Sequence, residues 1–116
     1  MFAQVMGITT CGIDGVKVVV EVDVTNGLPG FDLVGLPQMA VKESKERVRA
    51  AIRNSELPFP TTRIVVNLAP ADFKKEGSSL DVAIAVGILA SSKYLRQKDL
   101  EDKIFVGELS LDGSIK

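Results

Sequence analysis

The sequence predicts an α+β domain of two layers, in which a mixed β-sheet packs against two main helices in the order β-β-β-α-β-α-β. Three patterns lead to this prediction. Valine-rich runs that partly alternate between apolar and polar residues, such as residues 16–24, indicate half-buried strands. Residues 38–55 carry apolar side chains at helical spacing along one face. A second helix, from Ser78 or Ser79 to about Ser92, is apolar on nearly every side and is therefore expected in the core.

Five strands are expected, with glycine, proline and other turn residues between them. They cover residues 2–10, 16–24, 31–35, 63–68 and 104–111. The first two are expected to pair as a hairpin, because the segment between them contains Gly12 and Gly15, which accept positive φ. Asp112 and Gly113 predict a turn after the last strand.

The two helices differ in how much of their surface is apolar. One side of the first helix carries Val41, Val48, Ala51 and Ile52. Pro58 and Pro60 follow this helix and prevent its continuation. Gly87 lies inside the second helix, where a glycine costs about 1 kcal/mol relative to alanine. We therefore expect another backbone to approach this glycine closely.

Composition restricts the classes of function. The chain has 116 residues, 46% of them hydrophobic, which suits a single domain that spans residues 1–116 and buries its own core. Its formal net charge of −1 is not that of a generally basic nucleic-acid-binding protein. Cys11 is the only cysteine and histidine is absent. An internal disulfide, a cysteine–histidine metal site and a serine–histidine or cysteine–histidine catalytic pair are therefore excluded within this chain, and no metal site is expected.

Targeting signals are not expected either. The longest apolar run, residues 82–90, is too short to cross a bilayer. The N-terminal residues lack a basic region followed by a long apolar run, so no secretory signal is expected and the cytoplasm is the expected location. The turn at Asp112 and Gly113 requires a returning strand, for which only residues 114–116 remain. We therefore expect the chain to be a piece of a longer protein.

Three segments carry a resemblance to a known family. They are residues 30–55 (GFDLVGLPQMAVKESKERVRAAIRNS), 67–90 (NLAPADFKKEGSSLDVAIAVGILA) and 106–116 (VGELSLDGSIK). They resemble the N-terminal, ChlI-type domain of the magnesium-chelatase-like ComM/YifB proteins. The resemblance implies a Lon-protease-like fold, also described as the second-domain fold of a ribosomal small-subunit protein. In such proteins the domain precedes an AAA+ ATPase module, and members implicated in natural transformation act as hexameric helicases that migrate DNA branches.

The resemblance implies a non-catalytic accessory domain that acts with the AAA+ module of the same chain, through DNA or subunit contacts. A G-x-x-x-x-G-K-[ST] loop, whose backbone would cradle phosphates, is absent from this sequence. No cofactor is therefore expected in this chain, and ATP and Mg²⁺ are expected only in the ATPase module. A hexamer is expected for the full-length protein and a monomer for this piece of it. No membrane contact is expected.

The alternative function is a Lon-like hydrolase. Lon peptidases use a serine–lysine pair, and Ser79, which follows Glu76 and Gly77, matches the position of their nucleophile. A serine of this kind needs a base, such as a lysine whose pKa is lowered by its surroundings. No lysine of this chain matches that base, which would lie beyond the last residue. Leu80 and Asp81 follow Ser79 and are expected to crowd and repel an oxyanion.

A structural role for the serines is the competing interpretation. Ser78 is expected to cap the helix N-terminus, with Asp81 as its reciprocal partner, an arrangement worth about 1 kcal/mol. The Asp81 carboxylate also suits the positive end of the helix dipole. We therefore expect Ser79 to be inactive and the chain to hold no catalytic residue. A hydrolase remains only as half a site, which residues beyond this chain would complete.

The candidate nucleic-acid-binding residues are Lys42, Lys45, Arg49, Arg53, Lys74 and Lys75. The first four form one stripe beside the apolar face of the first helix, and such a stripe can neutralise phosphates. The last two lie in the loop before the second helix. Two other interpretations of the stripe stay open: a solvated face with Lys42–Glu46 and Glu43–Arg47 ion pairs, or a subunit interface. No aromatic residue lies in this helix, so stacking on bases is not expected.

Overall fold

The computed structural model describes residues 1–11, 14–69 and 78–116. Within these ranges the chain forms five strands and two α-helices, in the order that the sequence predicts. They are β1 (Phe2–Cys11), β2 (Asp14–Thr25), β3 (Gly30–Val34), α1 (Gln38–Asn54), β4 (Arg63–Ala69), α2 (Asp81–Ser91) and β5 (Ile104–Phe105). Short 3₁₀ helices cover Ser78–Leu80 and Gln97–Asp99.

The five strands form one mixed sheet in the order β3-β4-β2-β1-β5. β1 and β2 pair antiparallel, with Phe2 opposite Asp23 and Cys11 opposite Asp14, which confirms the predicted hairpin. β2 is also antiparallel to β4, whereas β3–β4 and β1–β5 are parallel pairs. Of the two predicted turn glycines, Gly12 lies outside the described residues and Gly15 already belongs to β2.

Both helices pack on the same face of the sheet, which gives the predicted two-layer α+β architecture. Alternate residues of each strand point to that face, because side chains alternate along a strand. The buried strand residues are Ala3, Val5, Val18, Val20, Val22, Phe31, Leu33, Ile64, Val66 and Leu68. α2 lies over β1 and β2, and α1 contacts both β3 and α2. The first helix is therefore the one that lies beside the edge strand β3.

The apolar side predicted for α1 is confirmed. Val48, Ala51 and Ile52 are buried, and Val41 is half-buried against the same core. The helix ends at Asn54, one residue earlier than predicted, and the amide of Ser55 donates to the carbonyl of Ala51 at 3.0 Å. The prolines that follow then lead the chain away from the helix axis and back toward β4.

The second helix is buried as predicted, although the neighbour of Gly87 is not the expected one. A Cβ atom at this glycine would lie 2.6 Å from Cγ2 of Val22, a side chain of the central strand β2. The expectation that another backbone approaches Gly87 is therefore wrong, since a valine side chain occupies the space. α2 has 11 residues, and no helix in the described part of the chain is long and apolar enough to cross a membrane.

The last strand is shorter than predicted. β5 contains only Ile104–Phe105, whereas the sequence predicts a strand over residues 104–111. The chain leaves the sheet because the backbone of Gly107 bonds to the start of the second helix: its amide donates to the carbonyl of Ser79 at 3.0 Å, and its carbonyl accepts from the amide of Val82 at 3.2 Å. Helix contacts thus replace the ladder that would have continued along β1.

The predicted turn at Asp112 and Gly113 is confirmed. Leu109 and Ile115 form an antiparallel bridge across it, and Gly113 has a φ of 96°, which favours glycine. A Cβ atom at Gly113 would lie 2.3 Å from Oγ of Ser55, because the turn packs against the C-terminal end of α1. The turn therefore connects the end of the chain to the first helix.

Candidate functional site

Three of the predicted basic residues lie together with two phenylalanine rings. The ammonium nitrogen of Lys45 is 5.7 Å from the ring centroid of Phe31. The Cζ atom of Arg49 is 5.8 Å from the centroids of both Phe31 and Phe59, and that of Arg53 is 5.6 Å from the centroid of Phe59. These distances are within the range of cation–π attraction. We call these five residues the Arg–Phe cluster.

The Arg–Phe cluster borders an open groove of about 440 Å³ between α1, β3 and the loop that precedes β4. Its lining includes Pro29, Arg49, Arg53, Phe59, Pro60 and Thr62. Among the described residues that line the groove none is acidic, and the lining combines two guanidinium groups with apolar rings. The groove therefore combines positive charge with apolar surface.

The rings of the cluster come from outside the helix. Phe31 lies in β3 and is buried, with 6% of its surface exposed, whereas Phe59 follows α1 and is half-buried. The two ring centroids are 5.7 Å apart at an interplanar angle of 43°. No aromatic residue lies within the helix, as the sequence shows, but two rings from other elements lie beside its basic stripe. Pro58 and Pro60, on either side of Phe59, were the available signal that the chain turns back there.

The structure divides the predicted stripe. Lys42 is exposed and borders a different groove, which it shares with Glu43, Glu46 and Arg47. The predicted Glu43–Arg47 ion pair is replaced by a pair between Arg47 and Asp81, described below. Glu46 lies 3.7 Å from Arg49, at a separation of i,i+3. Only part of the stripe therefore borders the positive groove.

The second candidate contact, Lys74 and Lys75, lies outside the described residues. That the loop of residues 69–77 contacts DNA therefore stays a prediction.

Ser79, at the start of the second helix, has structural contacts. The hydroxyl of Ser79 donates to the carbonyl of Ile8 in β1 at 3.1 Å, and the Ser79 side chain is half-buried. The carbonyl of Ser79 accepts the amide of Gly107 at 3.0 Å. Ser79 therefore connects β1, the start of α2 and the segment after β5.

The predicted capping arrangement of Ser78 and Asp81 is wrong. α2 begins at Asp81, the residue before it is Leu80, and no side-chain hydrogen bond caps the helix. The amide of Val82 is satisfied instead by the carbonyl of Gly107. A backbone group from a distant segment thus takes the place of a local serine cap, because the segment after β5 crosses the helix N-terminus.

Asp81 is the centre of a buried polar cluster that the sequence interpretation missed. Its carboxylate is fully buried, and it accepts hydrogen bonds from Oγ of Ser44 at 2.9 Å and from the amide of Leu109 at 3.2 Å. Nε of Arg47 donates to Asp81 Oδ2 at 2.5 Å, and Nη2 donates to Oδ1 at 3.2 Å. The cluster joins both helices and the final turn of the chain.

The ion pair in this cluster keeps Arg47 charged. The hydrogen bonds to Asp81 raise the pKa of Arg47 above its ordinary value, and partial burial opposes this effect less strongly. The guanidinium therefore stays protonated beside Asp81. Leu80 is fully buried as well. The prediction that Leu80 and Asp81 obstruct chemistry at Ser79 stays a prediction.

The signal for the cluster was present in the sequence. Asp81 stands at the start of a segment that is otherwise apolar, and a buried charge is stable only when it is paired and hydrogen-bonded. Arg47 was assigned to the exposed surface instead. Among the described residues, no group of three or more histidine, cysteine, aspartate or glutamate side chains is placed to hold a metal ion.

Comparison with known proteins agrees with the family resemblance. The model of the family described as "Subunit ChlI of Mg-chelatase" matches residues 20–116. Over 105 residues, the chain is 49% identical to the competence protein ComM of Haemophilus influenzae and 48% identical to the uncharacterized protein YifB of Salmonella typhimurium. It is 44% identical to the uncharacterized protein Rv2897c of Mycobacterium tuberculosis. Each match covers 90% of this chain but 21% of the relative, so the chain spans about a fifth of the length of these curated relatives.

Proposed function

The chain belongs to the family described as subunit ChlI of Mg-chelatase and resembles its ComM and YifB members, and from this membership we propose that it is a non-catalytic accessory domain of a magnesium-chelatase-like AAA+ ATPase. The parent protein acts in DNA processing of the branch-migration type, in competence or recombination. It binds ATP and Mg²⁺ in its ATPase module and assembles as a hexamer. This domain contributes contacts to DNA.

The observation that supports a DNA contact is the positive groove beside the Arg–Phe cluster. Lys45, Arg49 and Arg53 lie on the same side of α1, and the described residues that line the groove include no acidic side chain. Arginine binds phosphate with well-directed hydrogen bonds, and each neutralised phosphate releases counterions. A chain with a formal net charge of −1 thus presents one locally positive surface.

Charge reversal at the cluster tests this proposal. We expect Lys45→Glu/Arg49→Glu to weaken binding of a duplex of about 20 base pairs at least tenfold at low salt, because phosphate contacts dominate affinity. The slope of log K against log salt should become shallower by roughly 2. Fluorescence anisotropy over a salt series measures both quantities, and circular dichroism verifies that the variant is folded.

Arg96→Glu/Lys98→Glu is the matched control for this experiment. These residues lie beside β1, where the side chain of Gln97 bonds to the backbone of Gln4, and β1 is three strands from β3, roughly 14 Å along the sheet. Affinity and salt slope should stay at the wild-type values in this control. If both double variants weaken binding equally, or if neither does, the assignment of DNA binding to the Arg–Phe cluster is wrong.

The non-catalytic part of the proposal has a separate test. We expect Ser79 to remain unlabelled by a serine-directed fluorophosphonate, because its hydroxyl donates to the carbonyl of Ile8 and supports the connection to β1. Intact-protein mass spectrometry after incubation measures labelling, with a known serine hydrolase in the same tube as the positive control. A fluorophosphonate adduct mapped to Ser79 would establish the hydrolase alternative.

A further inference from the structure

We propose that the groove beside the Arg–Phe cluster binds one nucleotide unit of single-stranded DNA, with a phosphate at Arg49 and Arg53 and the base against the ring of Phe59. This inference rests on the proposed DNA contact and specifies the form of DNA that the site takes. It follows from three properties of the groove: its shape, the placement of its cations and the apolar surface between them.

The shape of the groove favours an unpaired base. Its volume of about 440 Å³ lies within the range of small-ligand pockets and suits a single nucleotide. In a duplex the bases are paired and stacked inside the helix, and only phosphates, sugars and base edges reach a protein surface. A single strand can turn a base outward into the groove, which a duplex does only at the cost of unpairing and unstacking.

The rings hold the cations that line the groove. Arg49 lies within cation–π distance of both Phe31 and Phe59, and Arg53 lies at a similar distance from Phe59. A guanidinium group that faces an aromatic ring still directs its N–H groups along its edge, where a phosphate oxygen can accept them. The rings therefore restrict the two side chains before a ligand arrives, which lowers the entropy lost on binding.

The apolar surface distinguishes a nucleotide from a simple anion. Phe59 is half-buried and lines the groove together with Pro29 and Pro60, and the centroid of the buried Phe31 ring lies 5.7 Å from that of Phe59. A free phosphate or an acidic peptide would use the guanidinium groups and leave this surface exposed to water. A base covers it, and stacking of a base on an aromatic ring tolerates any sequence because every base has a π-face.

The test compares two single strands of equal charge, with a duplex measured beside them. Anisotropy at low salt is measured with labelled oligothymidylate of about 12 nucleotides, with an abasic oligonucleotide of the same length and with a duplex. We expect wild-type protein to bind oligothymidylate about tenfold more tightly than the abasic strand, because only the former has bases to stack. This comparison requires no variant and is therefore independent of folding.

The variant Phe59→Leu tests whether the base stacks on the ring of Phe59. Leucine keeps apolar volume but not the aromatic face, so we expect the difference between oligothymidylate and the abasic strand to disappear. Affinity for the abasic strand should fall only slightly, because Phe59 also holds Arg49 and Arg53 in place. Phe2→Leu is the matched control, since Phe2 is 56% exposed in β1, away from the groove. It should preserve the full difference.

The outcomes separate this inference from the proposed function. Equal affinity of wild-type protein for oligothymidylate and the abasic strand would overturn the nucleotide site. The proposed DNA contact would still stand if Lys45→Glu/Arg49→Glu weakens the binding of both strands. If the protein binds none of the three nucleic acids, both proposals are wrong. Polyglutamate serves as a further ligand. If Phe59→Leu weakens the binding of polyglutamate as much as it weakens the binding of oligothymidylate, the inference is wrong and the ligand is an acidic protein segment.

Discussion

Arg47→Met is expected to lower the free energy of unfolding by about 3–5 kcal/mol, which is the cost of removing one partner from a buried ion pair. Methionine matches the aliphatic part of the arginine side chain but leaves the Asp81 carboxylate, which is fully buried, without a counter-charge. Ser44 and the amide of Leu109 still donate to this carboxylate, but neither neutralises it. The loss is large against the 5–15 kcal/mol that is typical of a whole domain.

Urea unfolding followed by circular dichroism measures this loss as a shift of the midpoint at an unchanged slope. Arg96→Met is the matched control, because Arg96 pairs with Asp99 on the surface and its side chain is 79% exposed; its loss should be about 1 kcal/mol or less. In Arg47→Met/Asp81→Asn the buried charge is absent, so stability should exceed that of Arg47→Met alone. A loss below about 1 kcal/mol for Arg47→Met would show that the pair is not a determinant of stability.

Gly87→Ala is expected to destabilise the chain by roughly 2 kcal/mol, although alanine is the better helix former. The new Cβ atom would lie 2.6 Å from Cγ2 of Val22. Val22 is fully buried in β2, which pairs with strands on both sides, so the valine has little room to move. Overpacking of this kind costs up to about 3 kcal/mol, and the gain in helix propensity offsets about 1 kcal/mol of it.

Thermal unfolding should detect this change as a decrease in Tm of roughly 10 °C. Gly15→Ala is the matched control, because the nearest atom to its new Cβ would be Cγ2 of Ile8 at 3.6 Å, an ordinary contact. Val22→Ala removes the obstructing methyl groups, so Val22→Ala/Gly87→Ala should be more stable than the sum of the single losses predicts. Additive losses in the double variant would mean that the two side chains do not compete for the same space.

Local sequence patterns were sufficient for most of the fold. The valine-rich hairpin of β1 and β2, the apolar side of α1 and the burial of α2 all follow from periodicities within one element, and each is confirmed. The length of β5 was not predictable in this way. Its apolar run continues beyond Phe105, but the backbone of Gly107 bonds to the start of α2 instead of β1. A choice between two hydrogen-bonding partners is made by packing, not by the pattern of the strand.

The candidate site was only partly predictable for a related reason. The basic residues of α1 could be placed on one stripe because helical spacing relates them directly. Phe59 and Phe31 belong to other elements, and nothing in the spacing indicates that their rings lie against Arg49 and Arg53. The carboxylate of Asp81 was assigned to a local cap, although Arg47, 34 residues earlier in the chain, pairs with it.

By itself the sequence determined the order of the elements, the two buried helix faces, the absence of histidine chemistry and the family resemblance. Each of these depends only on patterns of neighbouring residues or on composition. Only the tertiary structure decided that Phe31 and Phe59 lie beside the arginines of α1, that a valine side chain fills the space over Gly87, and that Asp81 pairs across the two helices. These contacts join residues far apart in the chain, and their free energies depend on the burial and geometry that the packed sheet and helices create together.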